Sequence, residues 1–123
     1  MEDFIMDKEE LNKILEKHKL WLAGKEGGES ADLSGADLSG AYLSRAYLRV
    51  ANLSGADLSG ADLRYAYLMG ANLSDTNLSG ANLNGAYLIN ANLSGANLRG
   101  ANLSDANLDG ADLEGARLNY TKF

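Results

Sequence analysis

The chain of 123 residues has no cysteine, no proline and a single histidine, His18. Without cysteine it can form neither disulfides nor thiolate metal sites. His18 has no second histidine near it, so the sequence offers no metal-ligand pair and no obvious general base. Its place on the apolar side of a helical stretch marks it as a packed structural residue. The missing proline suits a regular backbone ladder. No apolar run approaches the length of a membrane span, so no membrane role is expected. The acidic start "MEDFIMDKEE" lacks the basic opening and apolar middle of a signal peptide, and the expectation is a cytoplasmic protein. Positive charge is also scarce. The net charge is −6, with 8 acidic and 5 basic residues in 1–30 and 9 acidic and 6 basic in 31–123. Binding along a phosphate backbone needs a basic stripe, so no nucleic-acid partner is expected.

What is present is repetition. From Ala31 the chain reads A-[DN]-L-x-x, through 18 complete copies to Tyr120, with "TKF" beginning another. Alanine holds the first place in every complete copy except at Thr76, and leucine holds the third throughout. A period of five fits neither a straight helix nor a continuous strand. Residues two apart in extended chain face the same way, so alanine and leucine share one side and the residue between them takes the other. The fifth place is glycine in 11 of the 18 copies, as a turn with positive φ favours. Each copy is therefore a short extended piece followed by a corner, with alanine and leucine inside and the other three places outside. Tyr65 takes a corner usually given to glycine. Positive φ is unfavourable for tyrosine, so a different turn type is expected there.

These in-register A-[DN]-L-x-x copies resemble the pentapeptide repeat family, over residues 31–123. The resemblance implies an all-β solenoid: a right-handed quadrilateral β-helix with four repeats per coil and about 4.5 coils here. Coils would stack at about 4.8 Å. A solenoid end needs a cover, and residues 1–30 are read as an N-terminal α-helical cap and linker. In 7–23, Asp7 is an N-cap with Glu10 three places on, the capping-box pattern. Leu11, Ile14, Leu15, His18, Trp21 and Leu22 fall near one helical face. Gly24 is a C-terminal stop. This lid is expected to pack on Leu33, Leu38, Leu43 and Leu48, with Phe4, Ile5 and Met6 extending it.

The C-terminus has no comparable helix. Leu113, Leu118, Tyr120 and Phe123 are expected near an uncovered end. Either Tyr120 and Phe123 fold over it, or it pairs with a second copy. Exposed sheet edges invite pairing, and some members of the family dimerise through C-terminal coils, so a homodimer through the C-terminal coil is the favoured expectation.

With four copies per coil, residues twenty apart stack. Three faces then carry mostly Asp, Asn and Ser. The fourth does not. Its middle places are Tyr47, Tyr67, Tyr87 and Asn107, and the next places are Arg49, Met69, Ile89 and Asp109. Tyr65, Arg45 and Val50 border the same surface. Stacked tyrosines can simply stabilise a sheet. Tyr, Met and Arg are also enriched at protein interfaces, and the Met69–Ile89 column favours contact. The candidate contact face is Tyr47, Arg49, Tyr65, Tyr67, Met69, Tyr87 and Ile89, for a protein partner of unknown identity.

An enzyme is not expected: the repeats have no histidine or cysteine, and their carboxylates lie on an exposed ladder instead of in a pocket. No cofactor and no metal are expected. The leading reading is a non-catalytic protein-interaction or scaffold module. The alternative, implied by the family, is a DNA-mimic modulator of DNA gyrase or another type II topoisomerase. That role needs a long and strongly negative rod, which this short and mildly acidic coil is not.

Overall fold

A computed structural model describes residues 5–123. Phe4, expected to extend the lid, lies outside the described residues. Helix α1 spans Lys8–Leu22, and a solenoid of short parallel rungs follows from Ala31. Every bridge within the repeats joins residues twenty apart, from Asp32–Asn52 to Asn102–Lys122. Four five-residue repeats therefore complete each coil. The leucines from Leu33 to Leu103 are buried, as are the alanines of the middle coils. Each fully buried leucine is worth roughly 1.5–3 kcal/mol before the entropy of ordering the chain is counted.

The hydrogen bonding repeats with the sequence. In one rung, Leu48 N–H donates to Tyr67 O at 2.8 Å and Val50 N–H to Met69 O at 2.9 Å. Ala51 N–H donates back to Leu48 O at 3.0 Å and closes the corner. Positive φ at the third residue of such a turn is the type II signature, and all 18 fifth places have it. Tyr65 is among them, at φ 58°, so the expectation of a different turn at this corner is wrong. The ladder overrides the preference of the single residue. Tyr65 N–H donates to Asn84 O at 3.0 Å and Ala66 N–H to Leu63 O at 3.1 Å, and another turn type would break this register. Arg45 and Val50 are held in the same way, at φ 60° and 55°.

The second place has a structural duty as well. Each Asp or Asn there accepts the backbone N–H two residues on, as Asn72 does from Ser74 at 3.1 Å. In seven copies the serine hydroxyl donates to the same oxygen, at 2.7 Å in this example. These Asx turns fix the start of each polar corner. Thr76, in an alanine place, is buried, and its hydroxyl is satisfied by donating to Leu73 O at 2.7 Å.

At the N-terminal end, α1 belongs to the same buried cluster as the first-coil leucines through Leu11, with Ile14, Leu15 and Met6 packed against it. Asp7 caps the Glu9 N–H at 3.2 Å. No bond runs back from Glu10, so only half of the expected capping box forms. Gly24, at φ 68°, sits in a Schellman stop: its N–H donates to Trp21 O and Lys25 N–H to Leu20 O. Gly28 lies against the helix backbone, where a Cβ would run into Trp21 N and Cα. Trp21 packs less than expected. It stacks on His18 with ring centroids 5.5 Å apart but stays 43% exposed.

His18 joins helix to coil. It is fully buried, accepts the Ala31 N–H at Nδ1 at 2.8 Å and donates from Nε2 to Arg49 O at 2.9 Å. From the next repeat on, those two roles belong to the backbone of the preceding repeat: Ala36 N–H donates to Leu33 O, and Ser54 O accepts from Gly35 N–H. One imidazole thus replaces the donor and acceptor of a repeat that the first coil lacks. Ile5 adds a further rung, pairing in parallel with Asp37, while Met6 N–H donates to Asp37 O at 2.9 Å.

Candidate functional site

The fourth face is built from three successive rungs, in which Tyr47 pairs with Tyr67 and Tyr67 with Tyr87. The rungs hold the rings nearly parallel. Centroids are 5.3 Å apart at 12° for Tyr47–Tyr67 and 5.0 Å apart at 3° for Tyr67–Tyr87. Tyr47 and Tyr87 remain exposed and Tyr67 is half-buried between them. Beside this column stand Arg49, exposed, and Met69 and Ile89, both half-buried. Tyr65 and Val50 are exposed on the flanking corners. All seven residues of the candidate contact face therefore share one surface.

Two features of this face were not legible in the sequence. Lys19 of α1 lies over the Tyr47 ring, 5.5 Å from its centroid, and so extends the aromatic column into the helix. The Arg45 guanidinium lies 4.9 Å from the Tyr65 centroid. Both are cation–π distances. Side chains at filled corners also lean toward the next coil, where a glycine leaves room. Tyr65 lies over Gly85, and Val50 approaches within 3.1 Å of where a Cβ at Gly70 would be.

The polar faces differ in chemistry. Asp32 and Asp37 are held below the ordinary carboxylate value, first by the hydroxyls of Ser34 and Ser39 and then by the same residues' backbone N–H groups. The Asp62 carboxyl is lowered chiefly by its hydrogen bonds from the Arg64 side chain, and the pair is bridged at 2.8 Å. Among the described residues, no three His, Asp or Glu side chains converge as metal ligands would. No helix there is long and apolar enough to cross a membrane. A cleft of about 280 Å³ between α1 and the first coil is lined by Ile5, Leu11, Leu38 and Tyr42, with Lys8 over the Tyr42 ring.

At the C-terminal end, Leu113 is half-buried, while Leu118, Tyr120 and Phe123 are exposed. Tyr120 is 89% exposed and Phe123 63%. Neither folds over the end, which overturns the plug alternative. Among the described residues, the N–H groups of Leu108, Leu113 and Leu118 have no backbone acceptor, unlike those of the coils below.

A family model for pentapeptide repeats matches residues 31–64, 66–105 and 96–123. No curated protein matches the chain by sequence. Among solved structures it is similar to HetL, a pentapeptide repeat protein involved in heterocyst differentiation regulation from the cyanobacterium Nostoc sp. strain PCC 7120. The match has 40% identity and a TM-score of 0.60, over 75% of this chain and 48% of HetL. It is also similar to AT2G44920, a pentapeptide repeat protein of the Arabidopsis thaliana thylakoid lumen, at 39% identity and a TM-score of 0.54 over 72% of this chain and 65% of that one. The chain thus spans about half the length of HetL and less than two thirds of AT2G44920.

Proposed function

Because the chain belongs to the pentapeptide repeat family, we propose that it is a non-catalytic protein-interaction or scaffold module whose contact surface is the fourth face. Residues 31–123 form its right-handed β-helix of about 4.5 coils. Residues 1–30 are the N-terminal cap and linker, with His18 as the cap's hydrogen-bonding anchor. Its place is cytoplasmic, and its partner is a protein.

The observation that carries this reading is the coordinated departure of one face from the repeat. Tyr47, Tyr67 and Tyr87 accept no corner hydrogen bond, so the N–H groups of Arg49, Met69 and Ile89 lose the Asx partner found on the other faces. A tolerant repeat would scatter such losses. Here three coils in succession concentrate them under a half-exposed row of Tyr, Met and Ile, a composition enriched at interfaces.

The test replaces Tyr47, Tyr67 and Met69 together with serine and compares the proteins captured by the variant and by the wild type. Circular dichroism should be unchanged and the captured partners lost. Retention of every partner by a folded variant refutes the reading. The exposed end formed by Leu113, Leu118, Tyr120 and Phe123 is a second candidate contact, for pairing of two copies, favoured by its unpaired backbone donors.

A further inference from the structure

The fourth face is ordered along the β-helix axis. Its first rung is basic, with Arg45 and Arg49 both exposed, and Lys19 at the same end over Tyr47. Its second and third rungs are aromatic and apolar: Tyr65, Tyr67 and Met69, then Tyr87 and Ile89. Its fourth rung is acidic, with Asp105 and Asp109 both exposed. Among the described residues the only ion pairs are Lys17–Glu29 and Arg64–Asp62, so none of the described residues pairs with the charges at the two ends of this face. Three rungs of about 4.8 Å separate Arg49 from Asp109, and the rigid ladder cannot bring them together.

We propose that the occupant of this face is a second copy of the chain, docked face to face and antiparallel. This rests on the reading of the fourth face as a contact surface and names its partner. The two-fold axis lies in the interface, across the β-helix axis, midway between the rungs of Tyr67 and Tyr87. That operation keeps each column opposite itself and exchanges the first rung with the fourth and the second with the third. Arg49 meets Asp109 of the second copy, and Arg45 meets its Asp105. Met69 meets Ile89, and Tyr67 meets Tyr87. Tyr65 faces the corner of Gly85, which the second copy's own Tyr65 ring already covers, so that the two Tyr65 rings come together at the centre. Each of the other contacts occurs twice, as an isologous interface requires. The opposite docking, with coils parallel, sets basic rung against basic rung and acidic against acidic, which like-charge repulsion opposes.

The contact is small. A face about 10 Å wide and four rungs tall offers a footprint of about 200 Å², well below the roughly 800 Å² per partner of stable complexes. The pairing is therefore weak, dependent on concentration, and weakened by salt at its charged ends.

Sedimentation equilibrium of the full chain, from about ten to several hundred micromolar at low salt, tests this. The wild type should self-associate. Arg49→Glu alone and Asp109→Arg alone should each weaken association by at least about tenfold. An equimolar mixture of the two variants should restore it, because one then carries acidic ends and the other basic ends. Both sites are exposed, and circular dichroism checks that the fold is kept. A wild type that remains monomeric over the range overturns the proposal. So does association that both charge variants retain and that Leu118→Lys with Phe123→Lys abolishes, which would put the second copy on the C-terminal end. A monomeric wild type whose heterologous partners are lost on the Tyr47, Tyr67 and Met69 replacement would overturn self-docking and leave the contact-surface reading standing.

Discussion

The first and fourth faces are the same backbone with different side chains. Rungs, corners and buried Ala–Leu pairs are alike on both. On the first face Asn52, Asn72 and Asn92 each take two hydrogen bonds from the serine two residues on, which locks every corner. On the fourth, Tyr47, Tyr67 and Tyr87 take none and stack on one another instead. The polar face therefore spends the side-chain Oδ1 acceptors of these asparagines on its own corners. The fourth face leaves ring edges, hydroxyls and a thioether turned outward. The fold comes from what the faces share, and the candidate site from where they differ.

The largest effect should fall on what they share. Ala66→Leu, directly behind the tyrosine column, overpacks the tube and should cost roughly 1–3 kcal/mol or more by the usual penalty for an inserted side chain. Ala71→Leu behind the first face should cost about as much. Unchanged melting of either variant contradicts the inward assignment, and a large gap between them means that the two faces do not rest on the same core. A smaller effect belongs to the polar face alone. Asn72→Ala strips the corner bonds from the Ser74 N–H and hydroxyl and should cost roughly 1–2 kcal/mol in chemical denaturation. A cost near zero would show that the Asx turns do not separate the faces.

Corner glycines give a finer comparison. Gly55 and Gly85 both have positive φ, at 67° and 70°. A Cβ at Gly55 meets nothing, whereas one at Gly85 runs into the Tyr65 ring. Both alanine variants bear the left-handed penalty of roughly 1–2 kcal/mol, and Gly85→Ala should lose somewhat more. Equal losses would mean that the ring swings away freely. The smallest effect is in acid. The carboxyls of Asp32 and Asp37 are lowered in the folded state, so their contribution is present above the ordinary value of 3.8 and fades as pH falls through and below it. Asp32→Asn with Asp37→Asn keeps the Asx geometry and should flatten the melting temperature against pH in that window. An identical acid slope in the variant removes this difference between the faces.

Much of this was legible in the sequence, because a strict period carries its own geometry. The period places alanine and leucine inside, and the four copies per coil implied by the family resemblance then put Tyr47, Tyr67 and Tyr87 in one column. What escaped the sequence depended on partners distant along the chain. The reading of Tyr65 weighed one residue's φ preference and missed the ladder bond to Asn84 that fixes it. The two hydrogen bonds of His18 span 13 and 31 residues, and no local pattern announces that an imidazole will stand in for backbone. The Ile5 rung is too short to show a period. Lys19 reaches Tyr47 only because α1 lies where His18 pins it.

The central claim is that the tyrosine column serves contact more than stability. Replacing Tyr47, Tyr67 and Tyr87 together with asparagine measures this most directly. The change gives up two stacked pairs, worth roughly 0.5–1.5 kcal/mol each. It also supplies three Asx acceptors, which contribute a similar amount in total. The account predicts a stability within about 1 kcal/mol of wild type, a shift of at most several degrees in melting temperature. A loss of about 3 kcal/mol or more in a variant that still folds would contradict it, and would make the column a structural ladder.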